Sequence, residues 1–179
     1  HVWFPLKTLA LLMPCGLALL DASLPMVIRA WLPAYVPGLG AIRVLVWSSV
    51  FMGLVFSTKA FVVALGQQRR VLPIYGLAIA VNLLVSGGLL RHGFGLSGVA
   101  LGTGCAYAVC SLGLLLFVFR RLGWSWRATT ARILQLYAPT LAVGGAVVVM
   151  PILLARTGAA WSPTAWLAVK ASVILAYGA

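Results

Sequence analysis

The sequence predicts an all-α protein, a polytopic bundle of transmembrane helices. Three observations carry that expectation. Of 179 residues, 63% are hydrophobic and 8% are charged, whereas soluble domains are about half apolar and about a quarter charged. The mean hydropathy is +1.10. The apolar residues fall into runs of about 20, the length a helix needs to cross a hydrocarbon core about 30 Å thick. A compact soluble domain of this length cannot cover so much apolar surface, so the solvent around these helices is lipid.

Six spans are expected, at about 6–28, 41–65, 71–90, 96–119, 133–155 and 164–179. The connections are short and carry turn chemistry. "WLPAYVPGLG" (31–40) holds two prolines and two glycines, and "GQQRR" (66–70) and "RHGFG" (91–95) are brief polar turns. "RRLGWSWRATTAR" (120–132) is the longest connection and is basic, and "RTGAAWSPT" (156–164) is the last. The chain begins at His1 and ends within an apolar run, which reads as a fragment of a longer membrane protein.

There are 13 Lys and Arg against one acid, Asp21. The cations lie between apolar runs and form no patch or arm, so the net charge of +12 belongs to membrane topology and not to nucleic acid. Lys7, Arg69, Arg70, Arg120, Arg121, Arg127 and Arg132 fall on one side of the alternating spans, and Arg29, Arg43, Arg91 and Arg156 on the other. The heavier side is expected to face the cytoplasm. Trp31, Tyr35, Trp124, Trp126, Trp161 and Trp166 sit near span ends, where amphipathic rings settle at the interface.

Glycine is most concentrated where it looks least suited, in the fourth span. Lipid tails are as apolar as leucine, so helices in a bilayer gain nothing by hiding leucine from them. They associate by close backbone approach across small residues. Gly98, Gly102, Ala106 and Cys110 recur every four residues and make one small stripe, expected to be a helix-packing face. Ala138, Ala142 and Ala146 repeat the pattern in the fifth span. Small stripes also allow helices to rock against one another, as alternating access requires.

Polar groups inside spans are costly and are often functional. Lys59 either snorkels to the interface or lines a cavity, where it would bind an anionic substrate. Arg43, near the opposite end of the same span, is a second candidate substrate-binding cation or an interfacial anchor. Sixteen residues separate the two, which places them about 160° apart around an ideal helix. Asp21 either pairs with Arg43 across the first hairpin or faces a water-filled cavity, where it would couple transport to an ion. Asn82 is expected to hydrogen-bond a neighbouring helix. Pro14, Pro25, Pro73, Pro139 and Pro151 are helix-end residues, tolerated kinks or hinges.

No Ser/His/Asp set, HExxH, paired carboxylates or phosphate-cradling glycine loop is present, so the chain is not expected to be an enzyme. Cys15, Cys105 and Cys110 have no metal-ligand spacing. Neither a metal nor a cofactor is expected.

One order of residues is more specific than composition. A span with a central Asn82 leads through "LLRHGFGLSGVALGTGCAY", in which Gly95, Leu96, Gly98, Ala100, Gly102 and Thr103 open the next helix. Upstream, Tyr35 precedes a long span closing on Ala64, Leu65, Gly66, Arg69 and Arg70. The pattern resembles the polysaccharide flippases of the multidrug/oligosaccharidyl-lipid/polysaccharide exporter superfamily, over about residues 5–155. Val99 stands where those proteins usually have Ala, and the Gly usual before the Tyr is absent.

The resemblance implies the C-terminal part of a two-lobed transporter in the cytoplasmic membrane. That transporter would flip lipid-linked oligosaccharide or polysaccharide precursors by alternating access. Membrane lipid, the lipid-linked saccharide and an N-terminal lobe of the same chain would be its partners. A cation-coupled multidrug antiporter of the same superfamily is the alternative, and it needs intramembrane acids, of which the sequence has one.

Overall fold

The computed structural model describes residues 3–157, and these residues are helical and contain no strand. Five helices follow in order: α1 (Trp3–Trp31), α2 (Leu39–Ala64), α3 (Leu72–Arg91), α4 (Gly95–Arg121) and α5 (Trp126–Thr157). Short 3-10 turns at Pro33–Gly38 and Gln68–Val71 join α1 to α2 and α2 to α3. With the turns that lead into them, the first four helices are long and apolar enough to cross a membrane. The shortest, α3, has 20 residues and spans about 30 Å. The sixth expected span (164–179), with Lys170, Trp161 and Trp166, lies outside the described residues, as do the side chains of Ala146, Pro151 and Arg156.

Three helices stop by the same device. Gly66, Gly93 and Gly123 adopt φ of 64°, 82° and 77°, a left-handed conformation that costs glycine least. After α3, the Gly93 N–H bonds the Leu90 carbonyl and the Phe94 N–H reaches back to Leu89, both at 3.1 Å. After α4 the equivalent pair is Gly123 to Arg120 and Trp124 to Phe119, both at 3.2 Å. These are Schellman closures, which satisfy the last carbonyls of a helix. The apolar contact that accompanies the motif is also present, because the Trp124 and Phe119 rings stack at 4.7 Å. At a membrane interface such closure keeps helix ends from presenting bare carbonyls to lipid.

Two boundaries depart from expectation. The basic stretch 120–132 is not a loop throughout, because α5 already starts at Trp126. The Ser125 Oγ accepts the Ala128 N–H at 3.3 Å, the capping bond that a serine at N-cap supplies. Hydropathy misses these first turns because their Arg127 and Arg132 lie outside the apolar window. The loop 31–40 likewise contains a 3-10 turn, and only Leu32 leaves the helical region, at φ −137°.

The helix α4 is the centre of the bundle, packed along its length against both α2 and α3, while α1 packs on α2 and α5. Its two contacts use different faces. Toward α3 lie Gly98, Gly102 and Gly113, where an added Cβ would meet Leu89, Ser86 and Ile74 in turn. Toward α2 lies Gly104, where a Cβ would meet the Ser48 hydroxyl. Gly98, Gly102, Gly104, Ala106 and Cys110 are all buried. The expected stripe of α4 is therefore a packing face.

The α5 stripe is different. Ala138 is exposed and Ala142 half-buried, while Thr129, Ile133, Leu136 and Thr140 are buried, and a Cβ added at Gly144 would stand 3.6 Å from the Trp47 ring of α2. An alanine run needs no neighbour, and α5 packs on α1 and α4.

At Gly102 a Cβ would stand 2.8 Å from the Ser86 backbone nitrogen, so the helices must part to admit it. Gly102→Ala is expected to cost about 1–3 kcal/mol. Gly88→Ala, at a site with nothing within 4 Å, is expected to cost nothing. Thermal unfolding of the two variants in detergent micelles checks this, and equal melting temperatures would contradict the packing described.

Candidate functional site

The helices α1 and α2 run antiparallel, with Gly53 against Met13 and Leu9. That register carries Arg43, in the second turn of α2, down beside Asp21, ten residues before the end of α1. The Arg43 Nε stands 2.9 Å from Asp21 Oδ1. The pair is lopsided: the Asp21 side chain is 3% exposed and that of Arg43 is 46% exposed. Of the two arrangements open to Asp21 from sequence, the structure adopts the hairpin ion pair.

The asymmetry has a chemical consequence. A buried carboxylate is tolerated in an apolar helix when a cation meets it. Arg43 meets it through Nε, and nearly half of its side chain stays accessible. A guanidinium has five N–H donors in a fixed fork. One edge can hold Asp21 while the other serves an anion, so the site can fix a cation in place without spending all its donors. The same contact constrains ion coupling, because a proton or metal cation reaching Asp21 must compete with Arg43.

Lys59 is exposed, five residues before the end of α2. It lies about 24 Å along the helix from Arg43 at the usual rise per residue. The structure thus brings Asp21 and Arg43 together and leaves Lys59 apart from both. Lys59 shares a flank of α2 with Ser48, which is buried against Gly104. Asn82 does not bridge helices as expected. It accepts the Ser86 hydroxyl proton at 2.9 Å within its own helix, which holds Ser86 over Gly102. Besides the Asp21–Arg43 pair, a polar contact crosses between helices from Ser111 Oγ to Tyr137 Oη, at 2.6 Å, joining α4 to α5. The Tyr137 ring also packs at 5.6 Å on Phe51 of α2.

A second cluster closes the arginine-rich end. The Arg132 guanidinium lies 4.5 Å from the Trp3 ring and 4.3 Å from the Trp124 ring. Trp3 in turn meets Phe119 and Trp124 at 6.3 Å. The start of α1, the end of α4 and the first turns of α5 are tied by one arginine between two indoles, an arrangement favoured by the ring quadrupole. Counting charges in connections gave the side on which Arg132 lies. Its partner Trp3 is more than a hundred residues away, and no local pattern links them.

Among the described residues no three His, Cys, Asp or Glu gather where they could hold a metal ion, and Cys15, Cys105 and Cys110 are free thiols. No known protein family, curated protein or solved structure matches the chain.

Removing one partner of a buried ion pair costs about 3–5 kcal/mol, and the exposure of Arg43 brings the expectation toward the lower end. Arg43→Gln should therefore destabilise the chain clearly more than the double variant Asp21→Asn with Arg43→Gln. A double-mutant cycle read by thermal unfolding measures the coupling, and strict additivity of the two substitutions would show that the pair carries no interaction.

Proposed function

We propose that this chain is part of a membrane transporter that moves an anionic, lipid-linked saccharide across the cytoplasmic membrane by alternating access. The observation that carries the reading is the half-exposed Arg43 held by the buried Asp21 within a membrane-type helix pair. A cation fixed in an apolar wall is the group a phosphate- or pyrophosphate-linked substrate needs, because guanidinium binds phosphate oxygens bidentately. Lys59, on the same helix toward the other end, would meet the substrate at the opposite stage of its passage. The sequence order from Asn82 through Gly95, Gly98 and Gly102 supports the flippase resemblance. The glycine faces of α4 would let it rock between α2 and α3. An N-terminal lobe would complete the cavity.

A second reading, a cation-coupled multidrug antiporter of the same superfamily, draws on one specific feature. Asp21 is 3% exposed, as an occluded ion site would be. In that case protonation of Asp21 would release Arg43.

Transport of labelled lipid-linked oligosaccharide into vesicles bearing the full-length protein tests the proposal. Arg43→Ala and Lys59→Ala are each expected to lower transport about tenfold, equivalent to about 1.4 kcal/mol, with membrane abundance unchanged for Lys59→Ala. Unchanged transport in both variants would remove the cationic path. Loss of drug resistance with saccharide transport intact would favour the antiporter.

A further inference from the structure

The arginine-rich end carries a charge that the chain does not neutralise. Asp21 is the only acid in the sequence, and it is paired with Arg43 toward the opposite end. No carboxylate side chain within this sequence therefore serves Arg120 or Arg121. Both arginines stand at the head of an open groove on α4, whose other walls are Gly113, Leu116 and Phe117. These five positions follow i, i+3, i+4, i+7 and i+8, one stripe of a helix. The groove is wholly apolar for its first turn and cationic in its last. At Gly113 the groove ends, because the Ile74 side chain of α3 packs over the glycine.

Arg120 is held in place at the groove's head. Its Nη1 donates to the Trp124 carbonyl at 3.3 Å, and its guanidinium lies 4.6 Å over the Trp126 ring. Trp126 is 60% exposed, as an interfacial ring is. Arg121 is exposed beside it. An apolar channel on a membrane-type helix, ending in two arginines at the level of an interfacial tryptophan, has the shape and charge of a phospholipid.

We propose that this groove binds an anionic phospholipid. An acyl chain lies along Leu116 and Phe117 as far as Gly113, and the phosphate is held by Arg120 and Arg121. The lipid supplies the negative charge that the chain lacks at this end, as anionic headgroups do for basic residues at a membrane surface. The site differs from the Asp21–Arg43 pair and does not depend on what the protein transports.

Native mass spectrometry of the chain in mild detergent tests this, with phosphatidylglycerol and phosphatidylcholine as probes. The chain is expected to retain phosphatidylglycerol at least fivefold over phosphatidylcholine. Arg121→Gln should cut that preference at least threefold, and Arg120→Gln with Arg121→Gln should abolish it. Because Arg120 also steadies the turn, the Arg121 variant stands as the test free of folding effects, and helicity by circular dichroism verifies it. Leu116→Trp, which fills the apolar channel without changing charge, should lower retention of phosphatidylglycerol. Arg127→Gln, a charge loss at the same end outside the groove, should leave the preference intact.

Equal retention of the two lipids would overturn the proposal. So would an equal loss in Arg127→Gln, which would mark general attraction to the basic end. Displacement of phosphatidylglycerol by millimolar glycerol phosphate would also overturn it, since a bare phosphate site needs no acyl channel.

Discussion

The bundle depends on how closely α4 approaches its two neighbours. In water a helix is pressed against others by the burial of its apolar face. In lipid that force is absent, and what remains is dispersion between surfaces that fit and the few hydrogen bonds that cross between helices. Glycine lets two backbones come near enough for dispersion to count. The α3 contact pairs Leu89 with Gly98, Ser86 with Gly102 and Ile74 with Gly113, a constant antiparallel register over the length of both helices. The α2 contact pairs Gly40 with Ser97 and Ser48 with Gly104, a parallel register. Gly102 and Gly104 are two residues apart, about 200° around the helix, so consecutive turns serve opposite neighbours. Once α4 is seated between them, α2 and α3 are placed, α1 packs on α2, and α5 packs on α1 and α4.

Charge is distributed with the same economy. The single acid is used to hold an arginine inside the α1–α2 hairpin, where an isolated charge would be costly. The cations at the other end are handled by aromatic rings: Arg132 between Trp3 and Trp124, and Arg120 over Trp126. An indole face offers a cation partial compensation with no second charge to desolvate. The result is a chain whose two ends differ: one carries a buried ion pair, the other a ring-supported cluster of guanidinium groups.

Much of the fold was legible in the sequence, and for a simple reason. Membrane insertion imposes a length of apolar chain, and turns between spans need glycine, so the first four helices fall within two or three residues of their expected bounds. The stripe at Gly98, Gly102 and Ala106 was legible because a four-residue repeat lies along one helix face. Gly104 was not, because a second packing face shares no repeat with the first and is recognised only by knowing where α2 lies. The early start of α5 was signalled by Ser125, a cap that hydropathy does not weigh. Of the alanines of α5, Ala138 misled, since small residues permit close packing without demanding it. Within the candidate site, the pairing of Asp21 with Arg43 was one of two open arrangements, and helical geometry alone could not choose between them without the register set by Gly53 against Met13. The stacking of Arg132 on Trp3 was invisible, as any contact between distant parts of the chain is when no pattern links them.

The architecture rests on the contact between α3 and α4, and one cross-linking measurement reads it directly. A Cβ built at Gly113 stands 3.7 Å from that of Ile74, inside the range that a disulfide spans, about 3.5–4.5 Å. With Cys15, Cys105 and Cys110 replaced by Ala, the variant carrying Ile74→Cys and Gly113→Cys should form an intramolecular disulfide in membranes within minutes of mild oxidation. Ile74→Cys with Leu112→Cys, whose native leucine is 40% exposed, should not. No disulfide between positions 74 and 113 in the folded protein, or equal cross-linking of the two pairs, would contradict the close packing from which the rest of the architecture follows.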